Sequence, residues 1–318
     1  MSAAAGRHTL AVPMPIPLPI TDAPAPSVAL AHLDQLWFQV AGTVCNLTCR
    51  HCFISCSPHN HSFGFLTLDR VRAALEESVP LGVKEYYFTG GEPFLNRELV
   101  PILELTLRYG PATVLTNGTV FKDEWLGRLR AAEGASPYSL EVRVSIDGCD
   151  AAGNDPIRGE GTFERAMRGV RQLLAHGFLP IVTAAVMDDD ADPVRLAERF
   201  VAALRAHGYD RPRLKLLPAL RLGAEVERHR GYRPEERVTP EMMEGFDAGQ
   251  LLCSHTRIVT DRGVAVCPIL VEAPDAHFGP ALADALGPFA LRHHACWTCY
   301  QYGSVCANPT GSGKEQSR

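Results

Sequence analysis

Between residues 31 and 220 short apolar runs alternate with amphipathic stretches six times, and few folds accept that pattern. Predicted strands cover 35–41, 83–89, 112–116, 140–146, 179–186 and 213–217. The stretches between them carry helix signals. After Thr67, a hydroxyl suited to capping, Leu68, Val71, Ala74 and Leu75 recur at helical spacing. Helices are predicted over 96–109, 123–132 and 162–176, the last closed by Gly177. Asp192-Pro193 pairs a capping carboxylate with a proline at the first helical position, ahead of Val194, Ala197, Phe200, Val201 and Leu204 on one face. Strands separated by helices call for a parallel sheet covered by those helices. Six units are too few for an eight-stranded closed barrel. The expectation is an α/β fold: an open, partial (β/α)6 barrel.

The flanks read differently. Residues 1–30 hold Pro13, Pro15, Pro17 and Pro19 within their apolar part, which breaks any signal peptide and favours an extended, disordered or loosely docked arm. Residues 221–310 form a linker and a small cysteine-rich extension. The charged part, 221–237, has room for one helical turn, and Thr239-Pro240 starts a short helix. Residues 311–318 read as a disordered tail. A net charge of −5, with no basic run, argues against tracking a phosphate backbone, so no nucleic-acid partner is expected. No window is apolar and long enough to span a bilayer. Ten cysteines in a chain with no secretory signal, clustered in spacing, point to metal in a reducing compartment, with the cytoplasm as the expected location.

The first cluster is Cys45-x3-Cys49-x2-Cys52 on the loop that leaves the first strand. Thiolates are soft donors, suited to zinc or to an iron–sulfur cluster. Structural zinc closes its tetrahedron with a fourth ligand. Cys56, a further x3 along, could supply one, but reads better as a small buried thiol. The next three strands end in Thr89-Gly90-Gly91-Glu92-Pro93, Thr116-Asn117-Gly118 and Ser145-Ile146-Asp147-Gly148. Arg158-Gly159 and Thr162-Phe163 follow. Each alone is an ordinary turn. All of them lie at the strand ends where barrel-like α/β folds place their chemistry.

The second cluster comprises Cys253, Cys267, Cys296, Cys299 and Cys306. Residues 258–266 read as a hairpin with its turn at 261–263, which would bring Cys253 and Cys267 together beside the Cys296-x2-Cys299 pair. On spacing alone, zinc and an iron–sulfur cluster are both open. His59, His61, His293 and His294 read as solvated loop histidines, Asp188–Asp190 as a solvated loop, and Cys149 as a bystander.

Taken in order, the three thiols, Gly-Gly-Glu-Pro, Thr-Asn-Gly, Ser-Ile-Asp-Gly and Arg158 resemble the radical S-adenosylmethionine (radical SAM) superfamily across about 150 residues. One departure is His51, where the family often has an aromatic. The resemblance implies the partial barrel and a [4Fe–4S] cluster on Cys45, Cys49 and Cys52 with one iron open to SAM. It also implies a SAM site at Gly90, Gly91, Glu92, Asn117, Ser145, Asp147 and Arg158. In the family the Gly-Gly-Glu segment meets the methionine amino group, Ser145-like and Asp147-like positions lie beside ribose and substrate, and an arginine near Arg158 neighbours the carboxylate. The implied chemistry is one-electron cleavage of SAM to a 5′-deoxyadenosyl radical that takes hydrogen from a substrate, with the electron supplied by a donor such as flavodoxin or ferredoxin.

Downstream, the extension resembles the auxiliary-cluster region of the SPASM/twitch subgroup. It has five cysteines rather than seven, and Gly263-x3-Cys267 is one residue shorter than usual. One auxiliary [4Fe–4S] cluster is therefore expected, on Cys253, Cys267, Cys296 and Cys299, with Cys306 spare. Relatives act on peptides, proteins or small metabolites. The arm is too short for a leader-recognition domain, so the expected substrate is a small molecule or a peptide brought by a partner. The competing reading is a zinc-thiolate adaptor without catalysis, which leaves the Gly-Gly-Glu and Ser-Ile-Asp-Gly strand ends unexplained.

Overall fold

Gln35-Leu-Trp-Phe-Gln39 is buried at every position, and its two faces are buried for different reasons. Leu36 and Phe38 join the core beneath the covering helices. Trp37 faces the opposite way and stacks on Tyr87 at 4.4 Å between ring centroids. A central parallel strand needs this double burial.

The computed structural model describes residues 18–186, 192–303, 305 and 307. In chain order, the elements are β1 (Ser27–Val28), β2 (Gln35–Gln39), α1 (Leu68–Ser78), β3 (Glu85–Thr89), α2 (Leu99–Thr106), β4 (Ala112–Thr116), α3 (Asp123–Gly134) and β5 (Leu140–Ser145). They continue with α4 (Ala151–Arg158), α5 (Thr162–Ala175), β6 (Ile181–Val186), α6 (Pro193–Ala206), β7 (Arg213–Pro218) and α7 (Ala224–Arg228). The extension adds β8 (Thr256–Thr260), β9 (Gly263–Ala265), β10 (His277–Gly279), β11 (Phe289–Ala290) and α8 (Ala295–Tyr302).

Strands β2 to β7 lie side by side in sequence order, all parallel, and their helices cover one face. This is the α/β partial barrel expected. The capping signals hold as well: Thr67 accepts from the Arg70 amide, and Asp192 from those of Val194 and Arg195. Helix α2 starts three residues later than the pattern suggests, because the Asn96 side chain is used elsewhere. Its amide donates to Val40 O and Leu66 O at 2.8 Å each, and its Oδ1 accepts from the Glu98 amide. Helix α4 was not foreseen, since Gly153, Asn154, Asp155 and Pro156 are turn formers. Asp150 caps it, accepting from Gly153 N at 2.8 Å.

The extension departs most from expectation. Its hairpin forms, but β8 also pairs in parallel with β2, with Gln35 opposite Thr256 and Phe38 opposite Val259. The sheet therefore has nine strands, in the order β10-β9-β8-β2-β3-β4-β5-β6-β7. The cysteine-rich region thus continues the barrel's first edge, beside β2. The arm expected over 1–30 is docked where it is described: β1 pairs with β11, and Ile20 bridges His293. Residues 1–17, Asp188–Asp190, Cys306 and the 311–318 tail lie outside the described residues. Among the described residues no helix is long and apolar enough to cross a membrane.

Candidate metal centre and cofactor site

The cysteine loop is held from beneath by the Gly-Gly-Glu segment. Gly91 N donates to Gly42 O at 2.9 Å and Glu92 N to Val44 O at 3.0 Å. A side chain on Gly91 would overlap the Val44 carbonyl and the Cys45 amide, so this glycine lets the thiol loop lie directly on the strand end. Gly90, at φ 137°, takes a backbone conformation that side chains disfavour.

Glu92 lies behind this contact, fully buried. Its carboxylate accepts from Asn117 N at 2.7 Å, Thr116 Oγ1 at 2.7 Å and Phe94 N at 3.0 Å. Burial pushes its pKa up to about 7, against the three donors, which favour the ionised form. The carboxylate is thus a brace between two strand ends and does not line the cavity, unlike the ligand contact expected for it.

Cys45, Cys49 and Cys52 line a cavity of about 210 Å³ over the strand ends, together with Gly90, Gly91, Asn117, Ser145, Asp147 and Arg158. Of the residues expected at the SAM site, only Glu92 lies outside its walls. Asn117 donates to Asn46 Oδ1 at 2.9 Å and approaches Cys45 Sγ at 3.8 Å, tying β4 to the thiol loop. Ser145 Oγ lies 3.3 Å from Thr183 Oγ1. The charged wall is a buried trio. Asp147 meets Arg158 Nε at 2.5 Å and His51 Nε2 at 3.0 Å, and accepts from Ala185 N at 2.8 Å. Burial opposes the charge on Asp147, but Arg158 and His51 outweigh it and hold the carboxyl below its ordinary range. His51, which the sequence marked only as a departure, thus joins the thiol loop to β5 and α4. Its spacing gave no hint of the partner.

The sulfurs are set up for thiolate character by hydrogen bonds and opposed by burial. Leu47 N points at Cys45 Sγ (3.4 Å) and Cys56 N at Cys52 Sγ (3.3 Å). Burial pushes the Cys45 thiol up to about 12 and Cys49 up to about 11, while the Cys56 side chain, hydrogen-bonded to Cys52, lowers Cys52. Cys56 is a buried thiol hydrogen-bonded to Cys52, in line with reading it as a small buried thiol and not as a fourth ligand. Binding a metal would displace the protons that burial retains.

Cys253, Cys267, Cys296 and Cys299 line one narrow cavity of about 20 Å³, walled otherwise by apolar side chains such as Leu252, Ile269 and Phe289. Burial pushes Cys253 up to about 12 and raises Cys296 well above the ordinary thiol value. Among the described residues no three His, Cys, Asp or Glu side chains converge closely enough to hold one ion. Thiols spaced around a cavity suit a multi-iron cluster, whereas a single zinc wants its ligands at about 2.3 Å from one point.

The extension's histidines are not solvated as expected. His293 is buried with both Asp275 oxygens near Nε2 (2.9 and 3.1 Å), and His294 Nδ1 lies 2.8 Å from Glu236 O. His59 and His61 are exposed. Cys149 is half-buried and outside both cavities.

Comparison with known proteins bears on the family and the fold. A model of the Radical SAM superfamily matches residues 40–200, just over half the chain, and the protein belongs to that superfamily. The AdoMet-dependent heme synthase of Nitratidesulfovibrio vulgaris is 31% identical over 164 residues, which are 50% of this chain and 43% of that protein. Mycofactocin maturase MftC of Mycobacterium ulcerans is 29% identical over 167 residues, 51% of this chain and 43% of MftC. The chain thus spans less than half the length of these curated relatives. Among solved structures, anSMEcpe with bound AdoMet superposes with a TM-score of 0.58 at 16% identity, over 79% of this chain and 76% of that one. Streptococcus suis SuiB bound to precursor peptide SuiA gives 0.57 at 13%, over 77% and 62%. At such identities the likeness concerns the fold.

Proposed function

We propose that this protein is an enzyme that binds SAM beside a [4Fe–4S] cluster on Cys45, Cys49 and Cys52 and removes hydrogen from a bound substrate. The observation that carries this reading is convergence: one cavity collects the thiol loop and the ends of β3, β4 and β5. A cluster held by these three thiolates would supply the one-electron reduction of SAM on which the chemistry depends.

The chain's own residues position and shield. Arg158 gives Nε to Asp147 and turns Nη2 toward His51, which leaves Nη1 for a carboxylate at the cavity wall. The backbone of Gly90 and Gly91 borders the cavity without side chains, suiting the close approach of an amine. Asn117 and Ser145 offer neutral polar groups on the adjoining strand ends, suited to ribose. Leu115 and Leu217 add apolar wall, which keeps water from a reactive radical.

Cys253, Cys267, Cys296 and Cys299 would hold a second cluster, placed to take an electron from product or to bind substrate. The substrate is a peptide or small molecule. The peptide option gains support from the names of the similar proteins, a mycofactocin maturase and SuiB bound to its precursor peptide. Electrons would come from a flavodoxin or ferredoxin in a reducing compartment. The test is anaerobic purification with iron, sulfide and zinc counts, then 5′-deoxyadenosine release from SAM under dithionite. Coloured, iron-bearing protein that cleaves SAM is expected. Colourless protein with stoichiometric zinc would establish the adaptor reading instead.

A further inference from the structure

Arg257, on β8, is buried without exposure. A guanidinium cannot shed its proton to ease burial, so its charge needs an answer. Buried Arg143 and the largely covered Arg158 have one in a carboxylate: Arg143 lies 2.8 Å from Glu141, and Arg158 pairs with Asp147. Arg257 has none among the described residues. Its donors go to four main-chain carbonyls: Ala285 O at 2.5 Å, Thr256 O at 2.7 Å, Cys253 O at 2.8 Å and Gly287 O at 2.9 Å. Its flat face lies 5.0 Å from the Phe278 ring centre. These contacts satisfy hydrogen bonds and leave a full positive charge uncompensated. The link from Arg257 to the four-thiol cavity is through the main chain of one thiol residue, Cys253.

We propose that Arg257 is the built-in counter-charge of a cluster bound by Cys253, Cys267, Cys296 and Cys299, and that it sets the reduction potential of that cluster. The inference rests on the reading that these four thiols hold a cluster. Four thiolates outweigh the charge of an iron–sulfur core, so the whole is anionic, and reduction adds a further negative charge inside an apolar cavity. A fixed cation anchored on the backbone of one ligand residue, Cys253, favours the reduced form. It also gives a reason for a buried arginine on a strand whose other positions a neutral side chain would serve.

The test uses the full chain with Cys45, Cys49 and Cys52 replaced by Ala, so that only the second cluster reports. Its midpoint potential is measured by redox titration with electron paramagnetic resonance. Arg257→Gln should lower the potential, and Arg257→Lys, which keeps the charge but loses the fork, should stay close to the parent. An unchanged potential in Arg257→Gln, or equal shifts in both variants, overturns the proposal by reducing Arg257 to a packing clamp. If Arg257→Gln loses the cluster while Arg257→Lys keeps it, the counter-charge is supported; loss from both points to the clamp and overturns it. Failure of the underlying cluster reading shows up separately, as a parent protein without iron and sulfide, and it removes the proposal as well.

Discussion

The two thiol sites are made from the same ligand and built on opposite plans. The first occupies an irregular loop over a roomy cavity with a buried carboxylate, a guanidinium and an imidazole in its wall. The second gathers four thiols from a hairpin and a short helix into an apolar cavity about a tenth that size. A three-thiol site beside polar groups suits an iron that must also take a ligand. A four-thiol site in dry surroundings suits a metal centre held wholly by the protein. The sites are not independent modules, however. Cys45 and Cys56 share one buried core with Cys253, Cys267, Cys296 and Cys299. Ala224 N donates to Cys52 O at 3.0 Å. The hairpin tip also holds the far part of the cysteine loop, with Asp261 accepting from Gly64 N at 2.7 Å and Arg262 donating to Ser62 O.

This contrast can be broken in graded steps. Replacing Cys296 and Cys299 together by Ala should leave about half the wild-type iron if each cluster is a four-iron cubane. SAM should still be cleaved slowly, and substrate turnover should fail; undiminished iron would count against a second cluster. Asp147→Asn strands Arg158 and His51 in the first cavity and should cost about 3–5 kcal/mol, read by denaturant unfolding near neutral pH. The folded carboxyl of Asp147 lies below its unfolded value, so its stability contribution is complete above the unfolded pKa and fades as pH falls through the folded one. The gap between wild type and Asp147→Asn should therefore narrow in acid, and a gap that widens would contradict the trio. Gly91→Ala presses on the Val44 carbonyl and should cost about 1–3 kcal/mol while also weakening iron retention at the first site. SAM binding lost with iron fully kept would instead assign Gly91 to the ligand alone. Cys149→Ser, outside both sites, should change stability by less than about 0.5 kcal/mol and leave iron unchanged.

The barrel was legible because its signals are local. Periodicity, Thr67, Asp192-Pro193 and the Gly177 stop each act within a few residues, and each sits where the chain places it. The thiol loop and the strand ends were legible for the same reason, since a parallel sheet lines up the ends of its strands. What escaped was long-range. Nothing in Thr256–Thr260 announces that it will pair with β2, more than two hundred residues earlier, because a buried apolar strand fits a hairpin and a sheet edge equally. His51 and Asp147 lie far apart in sequence, so their contact has no spacing to read. The bracing role of Glu92 also escaped, because its donors Thr116 and Asn117 lie more than twenty residues along the chain. Arg257 gave no sign at all, since burial of a charge is a property of the fold.

The role of the first thiol loop is tested by comparing wild type with Cys45→Ala, Cys49→Ala and Cys52→Ala, each reconstituted anaerobically, by 5′-deoxyadenosine release from SAM under dithionite. Wild type should release 5′-deoxyadenosine, and none of the three variants should. Each variant should retain the iron of the second site. Wild-type release from any one of them would contradict the claim that these thiols hold the cluster that opens SAM.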